Sequence, residues 1–271
     1  MKILKILIIL GGIYFPNISL SQDFEVSPAS LIFKADPFEN IKQAVSITNH
    51  SNKTTMFSIT YSDFIFDEEG NAEIVAASST ENSCSKWITP DNDVFEIKPN
   101  ETYKLSINLL VPEEDYKARW AYMYVQTSQE QTAFNADKDS RAAGLNLSAR
   151  IAIEITRKPK TLQAANIEIA SLREEENSEN QNIRTFSALI DNQGNDIHEC
   201  NVLFIASNLS NAEEHEFERI KLKSFPGYKR KVSFTLPNTL PAGEYSLVAL
   251  LDYGEKSTLK GARLNKKLII K

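Results

Sequence analysis

The sequence predicts an all-β protein built from two immunoglobulin-like β-sandwich domains in tandem. Short runs in which apolar and polar residues alternate recur along the chain, for example at Ala44–Thr48 and Tyr103–Leu109. Such alternation is typical of strands with one buried and one solvated face. Polar turn sequences such as Glu69–Asn71 and Phe225–Gly227 separate the runs. Many short strands joined by polar turns indicate β-sandwiches rather than helical layers.

The N-terminal segment, residues 1–21, has the pattern of a secretory signal peptide. Lys2 and Lys5 give it a basic start, an apolar stretch follows, and Ser19 and Ser21 supply small residues before a cleavage site. A membrane anchor is the alternative, but the apolar stretch is short for a membrane span. We therefore expect cleavage after Ser21, export to the periplasm and no membrane span in the mature chain.

Charge and cysteine content restrict the class of partner and the source of stability. The chain has 271 residues and a formal net charge of −6, which argues against nucleic acid as its main partner. Its two cysteines, Cys84 and Cys200, fall in different predicted domains. We expect two part-buried thiols, and a fold held by its hydrophobic core rather than by a disulfide framework.

The segment Arg157–Lys160 is a natural joint between the two domains. Pro159 cannot continue the interior of a sheet, and charged residues surround it. We expect a first sandwich over residues 22–157 and a second over residues 158–271. Each has room for about seven strands, as in an immunoglobulin domain.

The stretch Gly144–Lys160 predicts a long strand at the end of the first domain. One of its faces is polar, and a long polar stretch, residues 127–144, precedes it. Its apolar face packs either on the protein's own core or on a partner. That face carries Leu145, Leu147, Ala149, Ile151, Ile153 and Ile155.

Several stretches resemble the PapD-like periplasmic chaperones, a superfamily of fimbrial type. Val26–Phe33 followed by Ala44–Tyr61 resembles the opening of such a chaperone, and Trp87–Pro112 resembles its middle section. Ala118–Gln126 and Ser148–Pro159 stand where the family has the last two strands of its first domain. The second half of the chain resembles the second domain of the family at Ala188–Asn195, Phe225–Pro237 and Leu240–Gly254.

The resemblance implies a PapD-like fold, a protein client and a function for the last strand of the first domain. In the pilus chaperones this strand lends alternating apolar residues to an incomplete client sandwich and pairs with it through main-chain hydrogen bonds. The alternative is an ordinary closing strand, above all at the Ile151–Ile155 end. The candidate partner-binding residues that the resemblance implies are Leu145, Leu147, Ala149, Ile151 and Ile153.

The sequence departs from the family at the client's terminal carboxylate. The pilus chaperones hold that group with two basic residues, and the matching positions here are Ser30 and Glu154 or a neighbour of Glu154. Arg150 and Arg119 are nearby arginines that would substitute, with plain solvation as the alternative. We therefore expect a divergent member that serves another envelope or secretion assembly.

No residue pattern indicates an enzyme or a transition-metal site. The sequence has no Gly-x-Ser-x-Gly motif, and Arg219 stands where a zinc-protease motif starting at His215 would have its second histidine. His198 and Cys200 have no companion pair of ligands. We expect no catalytic residues, no metal and no cofactor.

Two acidic turns and three aromatic residues have a structural and a functional interpretation. Asp67–Asn71 and Asp191–Asp196 carry the oxygen ligands and the glycine of calcium loops. Gly and Asn are also the residues that hairpin turns require, and we expect turns. Trp87, Trp120 and Tyr122 would suit a sugar platform, but aromatic residues at strand spacing are usually core.

These observations predict a non-enzymatic periplasmic protein that binds other proteins, as a chaperone or assembly factor for an envelope, surface or secreted protein. The alternative is a non-catalytic structural or accessory subunit of a cell-envelope or secretion complex. A chaperone releases its client, whereas a subunit co-purifies with its partners in fixed stoichiometry.

Overall fold

The predicted signal peptide and two candidate residues, Leu145 and Leu147, lie outside the described part of the structure. Within the described residues, none of the helices is long and apolar enough to span a membrane. The structure is a computed structural model that describes residues 23–112, 114–128, 149–161, 164–175, 184–237, 240–254, 259–263 and 267–270.

The first domain consists of strands and one short 3-10 helix, Ser85–Trp87, among the residues described. Its strands in chain order are β1 (Phe24–Ser27), β2 (Ser30–Lys34), β3 (Asn40–Asn49), β4 (Thr55–Phe66), β5 (Ala72–Ala76), β6 (Ile88–Pro90), β7 (Val94–Ile97), β8 (Thr102–Leu110), β9 (Arg119–Ser128) and β10 (Arg150–Lys158).

Two sheets pack face to face in this domain. One has the order β1-β3-β8-β6, and the other has the order β2-β10-β9-β4-β5, with β7 also paired to β4. Alternate residues of each strand enter the core between the sheets, as Leu105, Ile107 and Leu109 of β8 do. Burying one such side chain stabilises the fold by about 1.5–3 kcal/mol. The alternation in the sequence therefore identified this core correctly.

The second domain is built on the same plan, with its own core. Its strands are β11 (Ile167–Glu174), β12 (Thr185–Asn192), β13 (His198–Asn208), β14 (Glu214–Glu216), β15 (Ile220–Ser224), β16 (Lys229–Thr235), β17 (Gly243–Asp252), β18 (Leu259–Arg263) and β19 (Leu268–Ile270).

One sheet of the second domain has the order β11-β12-β16, and the other has the order β14-β13-β17-β18 with β15 on β13 and β19 on β17. Phe186, Phe204 and Tyr245 lie in the core between them. The predicted fold class, two immunoglobulin-like sandwiches in tandem, is confirmed. β10 ends at Lys158 and β11 begins at Ile167, and the predicted boundary at residues 157/158 stays a prediction.

The two cysteines are free thiols, one in each domain, and both are buried. They are therefore more deeply enclosed than the part-buried state that we expected. Burial raises the pKa of Cys84 far above its ordinary value and that of Cys200 to about 12. Both thiols thus remain protonated near neutral pH, and thiolate is the reactive form.

Candidate partner-binding site

Strand β10 is paired on both sides over only part of its length. β9 pairs with it from Arg150 to Arg157, in antiparallel orientation. β2 pairs with its other side in parallel orientation, from Glu154 to Lys158. Among the described residues, the segment Arg150–Ile153 therefore has a strand partner on one side only. A free strand edge of this kind is a template for pairing with another chain.

The apolar face of β10 moves out of the core toward this free end. Ile153 is completely buried in the core cluster of the first domain, Ile151 is half-buried and packs against that cluster, and Ala149 is exposed. The side chain of Ile153 thus contacts the protein's own core, as expected for an ordinary closing strand. The candidate residues with solvent access in the described part are Ala149, Arg150 and, in part, Ile151.

Arg150 lies on the outer face of the sheet, where it packs on an aromatic ring. Its guanidinium carbon is 4.5 Å from the ring centroid of Tyr124 on β9. The Tyr124 hydroxyl in turn lies 3.0 Å from the hydroxyl of Ser62. A cation over a ring at an exposed site contributes about 0.5–1 kcal/mol. Arg150 is therefore held in place near the free edge rather than fully solvated.

Arg119 lies at the other end of the same strand ladder. Its Nε donates to Asp115 Oδ2 at 2.6 Å, and its guanidinium carbon is 5.9 Å from the ring centroid of Trp87. It lines a cavity of about 450 Å³ next to Asn195 of the second domain. Arg150 pairs with Gln126, whereas Arg119 pairs with Arg157, so the backbones of the two arginines are roughly 24 Å apart along the ladder. The structure does not bring them into one site.

Ser30 and Glu154, the positions where the resemblance implies basic residues, are direct partners in the pairing of β2 with β10. The Glu154 carboxylate forms an ion pair with the ammonium group of Lys223, which lies on β15 of the second domain. The cation at this point thus comes from the other domain. Sequence analysis missed Lys223, because no local pattern links it to a strand in the first domain.

A cleft of about 360 Å³ lies between the domains at this point. Glu154 and Tyr122 line it from the first domain. Its second-domain side carries four basic side chains, one of which is the Lys223 that pairs with Glu154. Those basic side chains are Lys221, Lys223, Lys229 and Arg230.

A third hydrophobic cluster joins the domains beside the cleft. Phe64 stacks on Tyr122 with ring centroids 4.1 Å apart, and Phe225 of the second domain lies 5.0 Å from Trp120 in an edge-to-face arrangement. The indole nitrogen of Trp120 donates to the Phe64 carbonyl at 3.2 Å. Trp120 and Tyr122 are therefore part of a core, as expected, but of the core between the domains. Its members are Phe64, Phe66, Ala118, Trp120, Tyr122, Ile197, Phe225 and Tyr228.

The predicted turn at Asp67–Asn71 is confirmed. The Asp67 carboxylate accepts hydrogen bonds from the Asn71 main-chain N and side-chain Nδ2, at 2.7 and 2.8 Å. These bonds lower the pKa of Asp67, and Gly70 has a φ of +78°. Within the described part of the chain, no group of three or more His, Cys, Asp or Glu residues is placed to hold a metal ion.

Comparison with known proteins gives matches among solved structures. No family model and no curated protein matches the chain. A structure described as a chaperone–tip adhesin complex of CFA/I fimbriae biogenesis superposes with a TM-score of 0.51 at 14% identity, over 90% of this chain and 99% of that one. The chain has a PapD-like fold.

Two further solved structures cover much of this chain. The class 5 fimbriae chaperone CfaA is 16% identical over 90% of this chain and 99% of its own, with a TM-score of 0.48. The CsuC–CsuE chaperone–tip adhesion subunit pre-assembly complex of Acinetobacter baumannii is 14% identical over 77% of this chain and 89% of its own, with a TM-score of 0.42.

The PapD-like fold connects the free edge of β10 to the cleft through one continuous surface. On the outer face of the β9–β10 ladder, Glu154 pairs with Tyr122, and Ala152 pairs with Tyr124. Glu154 and Tyr122 line the cleft, whereas Arg150 and Ala152 are exposed beside the free edge. A segment that pairs with β10 would therefore lie alongside a surface that leads into the cleft.

Proposed function

We propose that the protein is a periplasmic chaperone or assembly factor that binds a protein client through the free edge of β10. The observation that carries the proposal is the one-sided pairing of Arg150–Ile153 among the described residues. The fold supports it, because it is shared with a solved chaperone–tip adhesin complex. Main-chain hydrogen bonds at a strand edge supply affinity, and alternate side chains supply specificity.

The client class that this mode of binding suits is a protein with an unfilled strand position, destined for the envelope, the surface or secretion. Leu145 and Leu147 continue the apolar face of β10 toward the N-terminus in the sequence. They are the side chains that we assign to the client's apolar groove. The protein acts without catalysis, and the pattern of residues 1–21 supports a periplasmic location.

Aspartate substitutions at the two ends of the strand test this proposal. Leu145→Asp and Leu147→Asp are expected to leave the melting temperature within about 2 °C of the wild type, because the proposal assigns both side chains to the client rather than to the protein's own core, and substitutions outside a core change stability by about 0.5 kcal/mol or less. Both are expected to abolish recovery of the client from envelope extracts, because a carboxylate in an apolar groove is desolvated without a counter-ion. Ile153→Asp is expected to unfold the first domain, since Ile153 has 0% exposure.

Leu259→Asp is the matched control. Leu259 is 64% exposed on β18 of the second domain, so the variant adds the same charge in the other domain and should keep the client. If Leu145→Asp and Leu147→Asp melt as low as Ile153→Asp, the strand is ordinary core and the proposal fails. If they fold and still recover the client, binding lies elsewhere on the protein.

Release of the client distinguishes a chaperone from a permanent subunit of a complex. The proposal expects the tagged protein to exchange its client when a competing β10 peptide, residues 143–158, is added in excess. A subunit of an envelope complex would retain its partners in fixed stoichiometry under the same conditions.

A further inference from the structure

The acidic hairpin, Asp67–Asn71, connects β4 to β5 and contacts the second domain. The main-chain N of Lys231 on β16 donates to the Glu68 carbonyl at 2.6 Å. The Lys231 ammonium group lies 2.8 Å from Glu69 Oε1. β16 is an edge strand of its three-stranded sheet. The hairpin thus adds a main-chain hydrogen bond to the edge of a sheet in the other domain.

Gly70 allows an arginine of the second domain to pack directly on the hairpin backbone. A Cβ atom at Gly70 would lie 1.2 Å from Nη1 and 1.9 Å from Cζ of Arg230. Contacts this short are impossible, so any side chain at position 70 must displace the guanidinium. Gly70 also has a φ of +78°, a conformation that residues with a side chain seldom adopt. The fit of Arg230 therefore depends on glycine at this position.

The charges across this contact are complementary. Hydrogen bonding to Lys231 lowers the pKa of Glu69, and the same bond raises the pKa of Lys231. The charge of Arg230 adds to the hydrogen bonds from Asn71 that lower the pKa of Asp67. The hairpin contact therefore combines a main-chain bond, shape fit and charge.

The domains are joined at a separate place next to the linker. Lys158 Nζ lies 3.2 Å from Asp196 Oδ1, and the Ala118 N donates to the Asn195 carbonyl at 2.7 Å. The aromatic cluster and the Glu154–Lys223 ion pair also join the domains. Domains that meet over a limited area can still rotate against each other, and the polar contacts of the acidic hairpin would restrict that rotation. Asp67 and Gly70 also line the cleft, so the hairpin contact lies at the cleft itself.

We infer that the acidic hairpin is a clamp that fixes the angle between the two domains and thereby sets the width of the cleft. This inference goes beyond the proposed function, because it concerns the free protein and its test needs no client.

Gly70→Ala tests the clamp through the fit of Arg230. Spin labels on cysteines introduced at the exposed positions Lys98 and Lys260, one in each domain, report the distance between the domains. The native thiols are buried and stay unlabelled. We expect Gly70→Ala to broaden the distance distribution and to shift it, whereas the wild type gives one narrow peak.

Gly254→Ala is the matched control for backbone strain. Gly254 also has a φ of +78°, but nothing lies within 4 Å of the position that an alanine Cβ would occupy there. We expect the control to keep the narrow wild-type distribution. A Gly70→Ala protein that keeps the same narrow peak as Gly254→Ala would overturn the inference.

Charge reversal gives a second test that does not depend on glycine. Lys231→Glu and Glu69→Lys should each broaden the distribution, because each places like charges against one another. The double variant, Glu69→Lys with Lys231→Glu, restores an opposite pair and should return the narrow peak. If neither single reversal broadens the distribution, or if the double variant stays as broad as the singles, the hairpin does not set the angle.

Discussion

Arg157 is a completely buried arginine whose guanidinium is held by main-chain carbonyls of three residues. Nε donates to Ala35 at 2.9 Å, Nη1 to Lys117 at 2.7 Å and Nη2 to Asp115 at 2.6 Å. Burial lowers its pKa, and the neighbouring Asp115 carboxylate opposes that shift. The group stays charged, because the pKa of arginine is ordinarily above 12. Arg157 thus connects β10 to Ala35, which follows β2, and to the segment Asp115–Lys117, which precedes β9.

Arg157→Met is expected to lower the free energy of unfolding by about 3–5 kcal/mol, since removing one member of a buried charged network leaves its partners unsatisfied. Arg157→Lys should rescue little, because lysine lacks the planar fork that reaches three carbonyls. Urea unfolding measures both changes. Arg173→Met is the control: Arg173 is 61% exposed in its ion pair with Glu175, and its loss should cost about 0.5 kcal/mol or less. Equal losses for Arg157→Met and Arg173→Met would contradict this role.

The strand β10 shows how far sequence reasoning reaches at the scale of an element. Alternation predicted the strand and its apolar face, because that pattern is local. The point at which this face leaves the core was not predictable, because it depends on where β2 stops pairing, at Glu154. The contact of Lys223 with Glu154 was not predictable either, because it depends on how the two domains are positioned relative to each other. Arg157 was interpreted as part of a charged joint, whereas it is buried.

The acidic hairpin is an element whose contact depends on pH. The folded-state pKa of Glu69 lies below its ordinary value of 4.5, mainly through the hydrogen bond with Lys231, while nearby Asp67 opposes the shift. Its contribution is present above pH 4.5 and is lost as the pH falls through the folded-state pKa. The pKa of Lys231 is raised above 10.5 by Glu69, with Glu175 and Glu68 adding to the effect. Its contribution is present below pH 10.5 and is lost as the pH rises through the folded-state pKa.

An NMR titration of the Glu69 side chain checks this assignment. The carboxyl pKa is expected below 4.5 in the wild type and closer to the ordinary value in Lys231→Met, which replaces the lysine by an unbranched side chain without charge. An unchanged Glu69 pKa in Lys231→Met would show that the ion pair does not form in solution.

At the scale of the whole molecule, the aromatic cluster couples two domains that each have a core of their own. Its first-domain side chains include Phe64 and Phe66 of β4 and Trp120 and Tyr122 of β9, and on β9 they alternate with Ala121 and Met123 of the first-domain core. The sequence carried a signal for this arrangement. On two strands, bulky aromatic residues occupy positions that the alternation assigns to the polar face. Trp120 and Tyr122 were interpreted as core residues. A strand pattern identifies a buried residue but not the surface that buries it, so their position between the domains was not predicted.

Phe225→Ala is expected to weaken that coupling. Phe225 is buried, and its ring centroid lies 4.4 Å from that of Phe66 and 5.0 Å from that of Trp120, so its truncation should cost about 3–5 kcal/mol. We expect calorimetry to show the two domains melting in separate steps in Phe225→Ala and closer together in the wild type. Phe38→Ala, at a phenylalanine that is 67% exposed, should leave the melting profile unchanged. Identical profiles for Phe225→Ala and the wild type would show that the cluster does not couple the domains.

The parallel pairing of β2 with β10 has a consequence for the order in which the chain acquires its structure. The two strands stand near opposite ends of the first domain's sequence. While the polypeptide is produced from its N-terminus, β2 has no neighbour to join until residues as far as Lys158 have appeared. Contacts between distant parts of a sequence form slowly. The nascent first domain therefore passes through a stage in which its own sandwich lacks one strand, and the last residues of that domain complete it.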